Sequence, residues 1–469
     1  MVFSGIPFLF FFLPLFLLIY YIIPYSFKNA VLLAFSLLFY AWGEPVYIVL
    51  MLISSFVDYL DGILLEKLEG KKALRKLSFV TALVINISIL CFFKYADLAV
   101  ETVNAILGLK LKAPGIALPI GISFYTFQTV SYSIDVYRGN VKAEKNYFSY
   151  LTYVSMFPQL IAGPIVRFSS VQKDLHERKI SESAFVRGFK RFLIGLFRKV
   201  LIANQIGELW DIIRTAETRS IAASWLGILC FTLQLYYDFS AYSDMAIGLG
   251  EVLGFHFPEN FVYPLSATSI TDFWRRWHIS LSGWFRDYVY IPLGGNRNGV
   301  LKHLRNMFAV WFLTGLWHGA SWNYVLWGLY HGLLLTFEKY LWGKKLEKAA
   351  AFFRHLYTLV IVVLGFGIFT FEDLHELAAY FPGLLGLGNG AVSAADSLWY
   401  MGNYLPVLLV AVVFAFPLRP KLKAGLNSGS PYRKRLAGIC EVLLAAGLFL
   451  LTVAALVKDV YNPFLYFRF

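Results

Sequence analysis

The chain alternates between long apolar segments and short segments that are basic or rich in turn-forming residues. A helix that crosses a bilayer needs roughly 20 mostly apolar residues, and many of the segments approach that length. We therefore predict an all-α membrane protein with N-terminal spans over 6–137 and C-terminal spans over 353–457. The predicted spans are 6–24, 29–43, 46–65, 77–98, 116–137, 147–165, 188–206, 221–240, 241–257, 306–317, 321–342, 353–371, 399–417 and 436–457.

The middle of the chain departs from this pattern. Segments 147–165 and 241–297 are too short or too polar to cross a membrane cleanly. Irregular backbone at membrane depth is tolerated only where protein buries it or where it lines a wet cavity, so we expect the functional site here. Within it, DFWRRWHISLSGWFRDY at 272–288 predicts one amphipathic helix. The residues of its buried stripe are Trp274, Trp277, His278, Leu281, Phe285 and Tyr288.

A run without charged side chains over 306–337 contains two similar pentads, GLWHG at 315–319 and GLYHG at 328–332. Each is a GxxxG pattern, which lets helix backbones approach closely in lipid. Each also places a histidine in its fourth position, His318 in the first pentad and His331 in the second. This combination is less ordinary than a GxxxG pattern alone.

Composition narrows the class of protein. Hydrophobic residues make up 58% of the 469 residues and charged residues 15%, whereas a soluble domain has about 25% charged residues. This excludes a soluble enzyme, a disordered protein and a nucleic-acid-binding domain. We predict one polytopic membrane domain over 1–469. The net charge of +13 comes from lysines and arginines grouped between the apolar runs, which is typical of cytoplasmic loops and of contacts with anionic lipid.

Histidines offer the clearest candidate chemistry. An ionisable residue inside a membrane is costly, so it is a functional hypothesis by default. His318, desolvated between Trp317 and Trp322, would stay neutral and could act as a general base toward a hydroxyl. The alternative is a structural histidine bonded to a neighbouring helix; for His278 the alternative is packing, and for His331 the structural role is favoured. We expect surface positions for His176, His303, His355 and His375.

Other kinds of site are poorly supported. The sequence contains no HExxH helix, Walker A loop or GxSxG elbow, and its three cysteines are far apart, so we expect no metal and no disulfide framework. Asp238 and Asp244 lie within apolar sequence, as do Asp58 and Asp61. They could be ion ligands of a transporter, or they could hold a polar network or cap helices.

Five segments resemble the membrane-bound O-acyltransferase family. They are FPQLIAGPIVR at 157–167, QLYYDFSAYSDMAIG at 234–248, FWRRWHISLSGWFRDYVYIPLGGNR at 273–297, GLWHGASWNYVLWGLYHG at 315–332 and NPFLYFRF at 462–469. The resemblance covers nearly the whole chain, with its core motifs in 157–332. It is strongest to the bacterial branch that acts in alginate and peptidoglycan O-acetylation; the teichoic-acid D-alanyl transfer proteins rank second.

The resemblance implies a fold and a set of site residues. The implied fold is a ring of transmembrane helices around a central tunnel, with re-entrant and amphipathic helices. The two functional histidines of the family correspond to His318 and His278. Residues expected to bind the donor or line the tunnel are Arg275, Arg276, Trp274, Trp277, Trp317, Asn323, Asp238 and Asp244.

The resemblance also implies an activity and partners. We expect an O-acetyltransferase of the bacterial plasma membrane that moves an acetyl group from a cytoplasmic donor to an extracytoplasmic polysaccharide, such as an alginate-like polymer or cell-wall glycan. The expected donor is acetyl-CoA or an acyl carrier, with no bound cofactor, and the expected protein partner is an extracytoplasmic SGNH-type acetyltransferase. His318 would act as general base or acyl carrier.

Three other activities are alternatives to O-acetyl transfer. D-alanyl transfer to teichoic acid would use a related protein of the same family. A glycan-precursor transporter or flippase would account for Asp238 and Asp244, but it predicts inverted repeats, and the sequence shows only the echo of the two pentads. A membrane hydrolase is disfavoured because the serine and zinc motifs are missing.

Overall fold

The computed structural model describes residues 1–216, 219–387, 394–417, 431–458 and Leu465. Across these ranges the regular secondary structure is helical and contains no β-strand. The backbone groups of a membrane-embedded helix are satisfied within the helix, which is why apolar segments of this kind fold in this way. The prediction of an all-α polytopic protein is therefore confirmed. The chain divides into two compact units, and the single domain over 1–469 stays a prediction.

The first unit comprises residues 1–192, 243–259 and 286–289. Its core contains a cluster of phenylalanine rings; the ring of Phe157 lies 5.1 Å from that of Phe16 and 5.4 Å from that of Phe12. The helices that begin in this unit are α1 (Leu13–Ile22), α2 (Lys28–Gly43), α3 (Ile48–Lys67), α4 (Lys72–Leu107), α5 (Ile122–Arg138), α6 (Tyr147–Ser155), α7 (Phe157–Leu160), α8 (Phe168–Glu177) and α9 (Glu182–Phe197).

The second unit comprises residues 193–242, 260–285 and 290–469. Tryptophan and phenylalanine side chains dominate its core cluster. Its helices are α10 (Asn204–Thr215), α11 (Ile221–Leu253), α12 (Ile270–Trp274), α13 (Ile279–Phe285), α14 (Val300–His318), α15 (Trp322–Phe337), α16 (Gly343–Lys348), α17 (Ala351–Phe369), α18 (Leu374–Tyr380), α19 (Ala394–Phe414) and α20 (Pro431–Lys458). Short π-helices follow α9, α13 and α15 at Arg198–Ala203, Arg286–Tyr290 and Glu338–Trp342.

Five helical segments among the described residues are long and apolar enough to cross a membrane. Large apolar side chains on several of them are exposed, including Leu443 and Leu450 of α20, as expected for helices that face lipid. The five segments are Tyr25–Gly43, Ile48–Lys67, Lys72–Leu107, Ala351–Phe369 and Arg435–Lys458.

Two predicted spans, 221–240 and 241–257, are wrong as separate elements because α11 continues through both. Polar side chains in its middle are buried, and Asp238 among them is paired with Lys199, so the polar sequence does not interrupt the helix. It ends before Gly254, whose φ of +85° suits only a residue without a Cβ atom. By contrast, segment 147–165 breaks at Met156 into α6 and α7, in line with the expectation that it could not span cleanly.

The single amphipathic helix predicted over 272–288 is also wrong. The structure has α12, then a break, then α13 and a π-helix. The break falls at His278, whose φ is +44°. All six residues of the predicted stripe are nevertheless buried, because the apolar pattern reports burial and does not by itself establish a continuous helix.

The glycine pentads pack α14 against α15 through their backbones. A Cβ atom at Gly315 would overlap the carbonyl of Tyr324, and one at Gly328 would overlap the carbonyl of Trp311. The close approach indicated by the GxxxG patterns is therefore present. It brings the C-terminal end of α14, where His318 lies, against the aromatic face of α15.

Candidate active site

His278 occupies a backbone conformation that bulky residues seldom adopt. Its φ of +44° lies in the left-handed region, and such conformations persist only where surrounding contacts enforce them. Asn260 supplies these contacts: its backbone oxygen accepts from the amide of Ile279 at 3.0 Å, and its side-chain oxygen accepts from the amide of Ser280 at 3.2 Å. His278 itself is fully buried.

Aromatic rings surround the His278 imidazole. Its centroid lies 4.6 Å from Phe239, 5.8 Å from Trp317 and 6.5 Å from the second candidate histidine, His318. His278 lies between two helices too short to span a membrane. Its burial lowers the pKa of the imidazole well below the ordinary value of 6.5, so the neutral form predominates at physiological pH.

His318 is the last residue of α14 and is 5% exposed. The rings of Trp317 and Trp327 each lie 4.9 Å from it, and that of Phe369 lies 5.3 Å away. Trp322, predicted as one of its neighbours, is 48% exposed at the start of α15. Desolvation of His318 thus comes from Trp317, as predicted, and from α15 and α17, which sequence neighbours could not indicate.

His331 shares this aromatic cluster. The indole of Trp274 donates from Nε1 to His331 Nδ1 at 3.4 Å, and the ring of Trp327 lies 5.2 Å from the imidazole. Trp327 therefore contacts both histidines of the two pentads. The predicted structural role of His331 agrees with this buried, partnered position.

The remaining predicted residues of the RWHIS segment differ in exposure. Arg275 is exposed at the end of α12, whereas Arg276 is half-buried and its Nε donates to Asp272 Oδ1 at 2.8 Å. Trp274 and Trp277 are buried, the latter 4.9 Å from the ring of Phe366. The exposed guanidinium of Arg275 suits an anionic ligand better than the paired one of Arg276; donor binding by either stays a prediction.

Asp238, Asp244 and Asn323 have partners within the protein. Asp238 is buried, 2.7 Å from Lys199 Nζ, and accepts from the amide of Leu465 at 2.9 Å. Asp244 lies 2.8 Å from Arg191. Asn323 is fully buried and donates to the carbonyl of Phe371 at 2.5 Å. These contacts favour the polar-network interpretation of the two aspartates, and donor binding by the three stays a prediction.

Sequence reasoning missed two buried polar residues, Asn260 and Glu338. Glu338 accepts at 2.7 and 2.8 Å from the amides of Ile270 and Thr271, and so caps α12. The available signal was its position as the first charged residue after the run over 306–337. The prediction that His303 lies at the surface is wrong: it is 1% exposed, its Nε2 accepts from Lys339 Nζ at 3.2 Å, and its Nδ1 shares a hydrogen bond of 2.8 Å with the Tyr340 hydroxyl.

Comparisons with known proteins identify the family of the chain. Residues 140–374 match the membrane-bound O-acyltransferase family, a range that includes His278, His318 and His331. The chain belongs to the membrane-bound O-acyltransferase family. It is therefore an enzyme, an O-acyltransferase, and a multi-pass membrane protein.

Relatives of this O-acyltransferase act on different polymers. It is 37% identical over 490 aligned positions to the probable alginate O-acetylase of Pseudomonas putida, with 100% of both chains covered. It is 36% identical to the peptidoglycan O-acetyltransferase of Helicobacter pylori, covering 72% of this chain and 70% of the relative. It is 30% identical to the teichoic acid D-alanyltransferase of Bacillus subtilis, covering 55% and 70%. The predicted branch of the family is thereby confirmed.

Two predictions about this O-acyltransferase, on its terminal motif and on the ring of helices, are not tested by the structure or the comparisons. The terminal motif at 462–469 falls outside the described residues except for Leu465. The ring of helices around a tunnel stays a prediction. Within the described ranges, no three histidine, cysteine, aspartate or glutamate side chains are grouped so that they could hold a metal ion.

Proposed function

We propose that this enzyme transfers an acetyl group from cytoplasmic acetyl-CoA, across the bacterial plasma membrane, for O-acetylation of an extracytoplasmic polysaccharide. The alginate and peptidoglycan O-acetylating relatives support the acetyl group and the polysaccharide acceptor. An acyl-carrier donor would serve the same chemistry. Passage of the acetyl group to the polymer would use an extracytoplasmic SGNH-type partner.

The observation that carries the proposal is the pairing of His278 and His318. The centroids of their imidazole rings lie 6.5 Å apart, both residues are buried, and the rings of Trp317, Trp327 and Phe369 pack around His318. A buried neutral imidazole is a competent general base near pH 7. The 6.5 Å separation of the ring centroids places the two imidazoles close enough to act on the same reacting group.

Two routes would use this arrangement. In the first, His318 takes the proton of the acceptor hydroxyl as its oxygen attacks the thioester carbon; the carbon–sulfur bond breaks, and the thiolate takes up a proton to leave as free coenzyme A. In the second, a His318 nitrogen attacks the same carbon, the carbon–sulfur bond breaks, and the thiolate leaves as coenzyme A with the proton of the other imidazole nitrogen. The hydroxyl oxygen then attacks the acetyl carbon, the carbon–nitrogen bond breaks, and the hydroxyl proton passes by way of His278 to the released imidazole. His278 would thus orient the reacting group.

Donor binding would draw on the exposed cationic side chains of the RWHIS segment. Arg275 is exposed next to α12, and lysines and arginines at a cytoplasmic mouth attract the phosphates of acetyl-CoA. The neighbouring Arg276 would contribute only if its contact with Asp272 rearranged. Acetyl-CoA is a substrate here and not a resident cofactor.

The test follows radiolabel from acetyl-CoA into polymer. Membranes that contain the full chain, its expected SGNH-type partner and the polymer are compared for wild type, His318→Ala and the control His375→Ala, an exposed histidine of α18. We expect loss of incorporation only in His318→Ala. Continued incorporation by His318→Ala would overturn the assignment, and incorporation of D-[¹⁴C]alanine in a parallel arm, with no acetyl transfer, would favour the D-alanyl alternative.

A further inference from the structure

We propose that Asn260 is a positioning residue that fixes the tautomer of His278, so that Nε2 of this imidazole accepts a proton or hydrogen bond from the reacting group. The inference rests on the proposed function, since it assigns a direction to the proposed action of His278. It concerns an asparagine that lies 18 residues earlier in the chain.

Three donors converge on one oxygen of Asn260. Its Oδ1 lies 2.8 Å from Ser280 Oγ, 3.2 Å from the backbone nitrogen of Ser280 and 3.1 Å from His278 Nδ1. Asn260 is fully buried. An amide oxygen in this position replaces the solvent that His278 and Ser280 lose on burial, which is the general requirement for buried polar groups.

The backbone amide of Ser280 decides which way the Asn260 side chain faces. Oxygen and nitrogen of an asparagine amide look alike, and their assignment follows from the hydrogen-bond partners. A backbone N–H can only donate, so the atom facing it must be the oxygen. The same oxygen faces His278 Nδ1, and an oxygen of an amide can only accept.

The tautomer of His278 then follows. Nδ1 must carry the hydrogen that it donates to Asn260, and in a neutral imidazole the other nitrogen, Nε2, carries the lone pair. His278 can therefore accept at Nε2 and cannot donate from it. In the route through acetyl-histidine this nitrogen would accept the hydrogen bond of the acceptor hydroxyl and orient its oxygen toward the acetyl carbon.

Among the described residues, the elements packed around His278 place few charged side chains near its ring. Phe239 of α11 and Phe261 contact the ring, and α14 contributes Trp317 and His318, of which only His318 titrates. Asp238, next to Phe239, is engaged with Lys199. On the segment of His278 itself, Arg276 is paired with Asp272. A neutral amide thus orients the imidazole without the charge that a carboxylate would place beside it.

That difference gives a direct test with two substitutions. Asn260→Ala removes the oxygen that accepts from His278 Nδ1, so either nitrogen of the imidazole can then carry the hydrogen. Asn260→Asp keeps an oxygen for all three donors but adds a negative charge, which favours the imidazolium and raises the pKa of His278. Initial rates of transfer from radiolabelled acetyl-CoA are measured across pH in membranes containing the full chain, its partner and polymer, alongside His278→Gln and the control Asn306→Ala.

Asn306 is a matched control because it is equally buried but donates to the carbonyls of Leu293 and Gly295 in a loop. We expect Asn260→Ala to lose about 10²-fold or more in rate, since a wrong tautomer in a catalytic histidine is costly. We expect Asn260→Asp to retain more activity than Asn260→Ala. As the pH is lowered, Asn260→Asp should lose activity at a higher pH than wild type does, because the pKa of His278 is raised. Asn306→Ala should lower the yield of folded protein and leave the pH profile unchanged.

The outcomes separate this inference from the function on which it rests. If His278→Gln is impaired while Asn260→Asp keeps the wild-type pH profile, the positioning by Asn260 is overturned and the proposed function stands. If His278→Gln is fully active, the proposed action of His278 falls. Should Asn260→Ala not fold, the pH profile of Asn260→Asp still decides, because that variant preserves the three acceptor contacts.

Discussion

Two buried polar clusters, one in each unit, contrast in how their side chains are surrounded. In the first unit, Asp58 of α3 accepts from Asn86 Nδ2 of α4 at 2.7 Å and from Ser133 Oγ of α5 at 2.7 Å. In the second unit, His278 and His318 are surrounded mainly by aromatic rings. The first cluster joins regular helices through matched side chains, whereas the second includes a break in the backbone at His278.

The contrast between the two clusters indicates how the role of a polar residue at membrane depth can be inferred from its surroundings. A polar side chain that meets partners from neighbouring helices stabilises helix packing, and such hydrogen bonds are each worth about 0.6 kcal/mol on average in membrane proteins. A polar side chain held by unusual backbone among rings is better explained by chemistry. The network interpretation of Asp58 and the functional interpretation of His278 follow from their surroundings and not from their polarity.

The largest effect should come from His318→Ala. We expect the rate of acetyl transfer to fall by about 10²- to 10⁴-fold, the usual contribution of a general base, while the melting temperature in detergent stays near that of wild type. A large drop in melting temperature with a proportionate loss of rate would instead place His318 with Asp58 as a packing residue.

Next in size, Asp58→Ala should act on stability. It removes the carboxylate that accepts from Asn86 and Ser133, so we expect a loss of about 1–2 kcal/mol from two interhelical hydrogen bonds. Thermal unfolding in detergent measures this, with exposed Glu69→Ala as the control. The rate per folded molecule should be unchanged; a selective loss of rate at normal stability would break the comparison.

Glu338→Gln tests a buried polar residue of the second unit to which we assign a structural role, the capping of α12. Its carboxylate oxygens receive both amides and the Thr271 hydroxyl at the start of α12, and an amide side chain can replace only one of these oxygens. Loss of such a cap costs about 1 kcal/mol. We expect a lower melting temperature and a modest fall in rate; rates are to be compared at equal amounts of folded enzyme.

The smallest effect should follow Trp274→Phe. The substitution removes the indole donor to His331 but keeps a ring against Trp311, whose centroid lies 4.6 Å away. Because the hydrogen bond is long at 3.4 Å, we expect its loss to contribute about 0.5 kcal/mol or less to the change in stability, beside the cost of the smaller ring in the core, and we expect a rate close to wild type. A strong loss of rate would show that His331 belongs with His278 and His318.

Sequence and structure contributed unequally to the candidate site. The motif around 273–297 and the GLWHG pentad led to His278 and His318, and the structure places these two side chains together. Asn260 and Glu338 could not be predicted in the same way. Their partners lie 18 to 20 and 67 or 68 residues away along the chain, and neither hydrophobic periodicity nor spacing specifies such contacts.

That the chain is a polytopic membrane protein, that it belongs to its family, and that His278 and His318 are its candidate reactive residues could all be inferred from the sequence. The length of an apolar run and the identity of a motif are local properties of the chain. Only the tertiary structure decided that 272–288 breaks at His278, that Asp238 pairs with Lys199, and that Trp327 rather than Trp322 lies against His318. These outcomes depend on which distant groups satisfy a buried donor, acceptor or charge. That requirement is settled only when the helices pack.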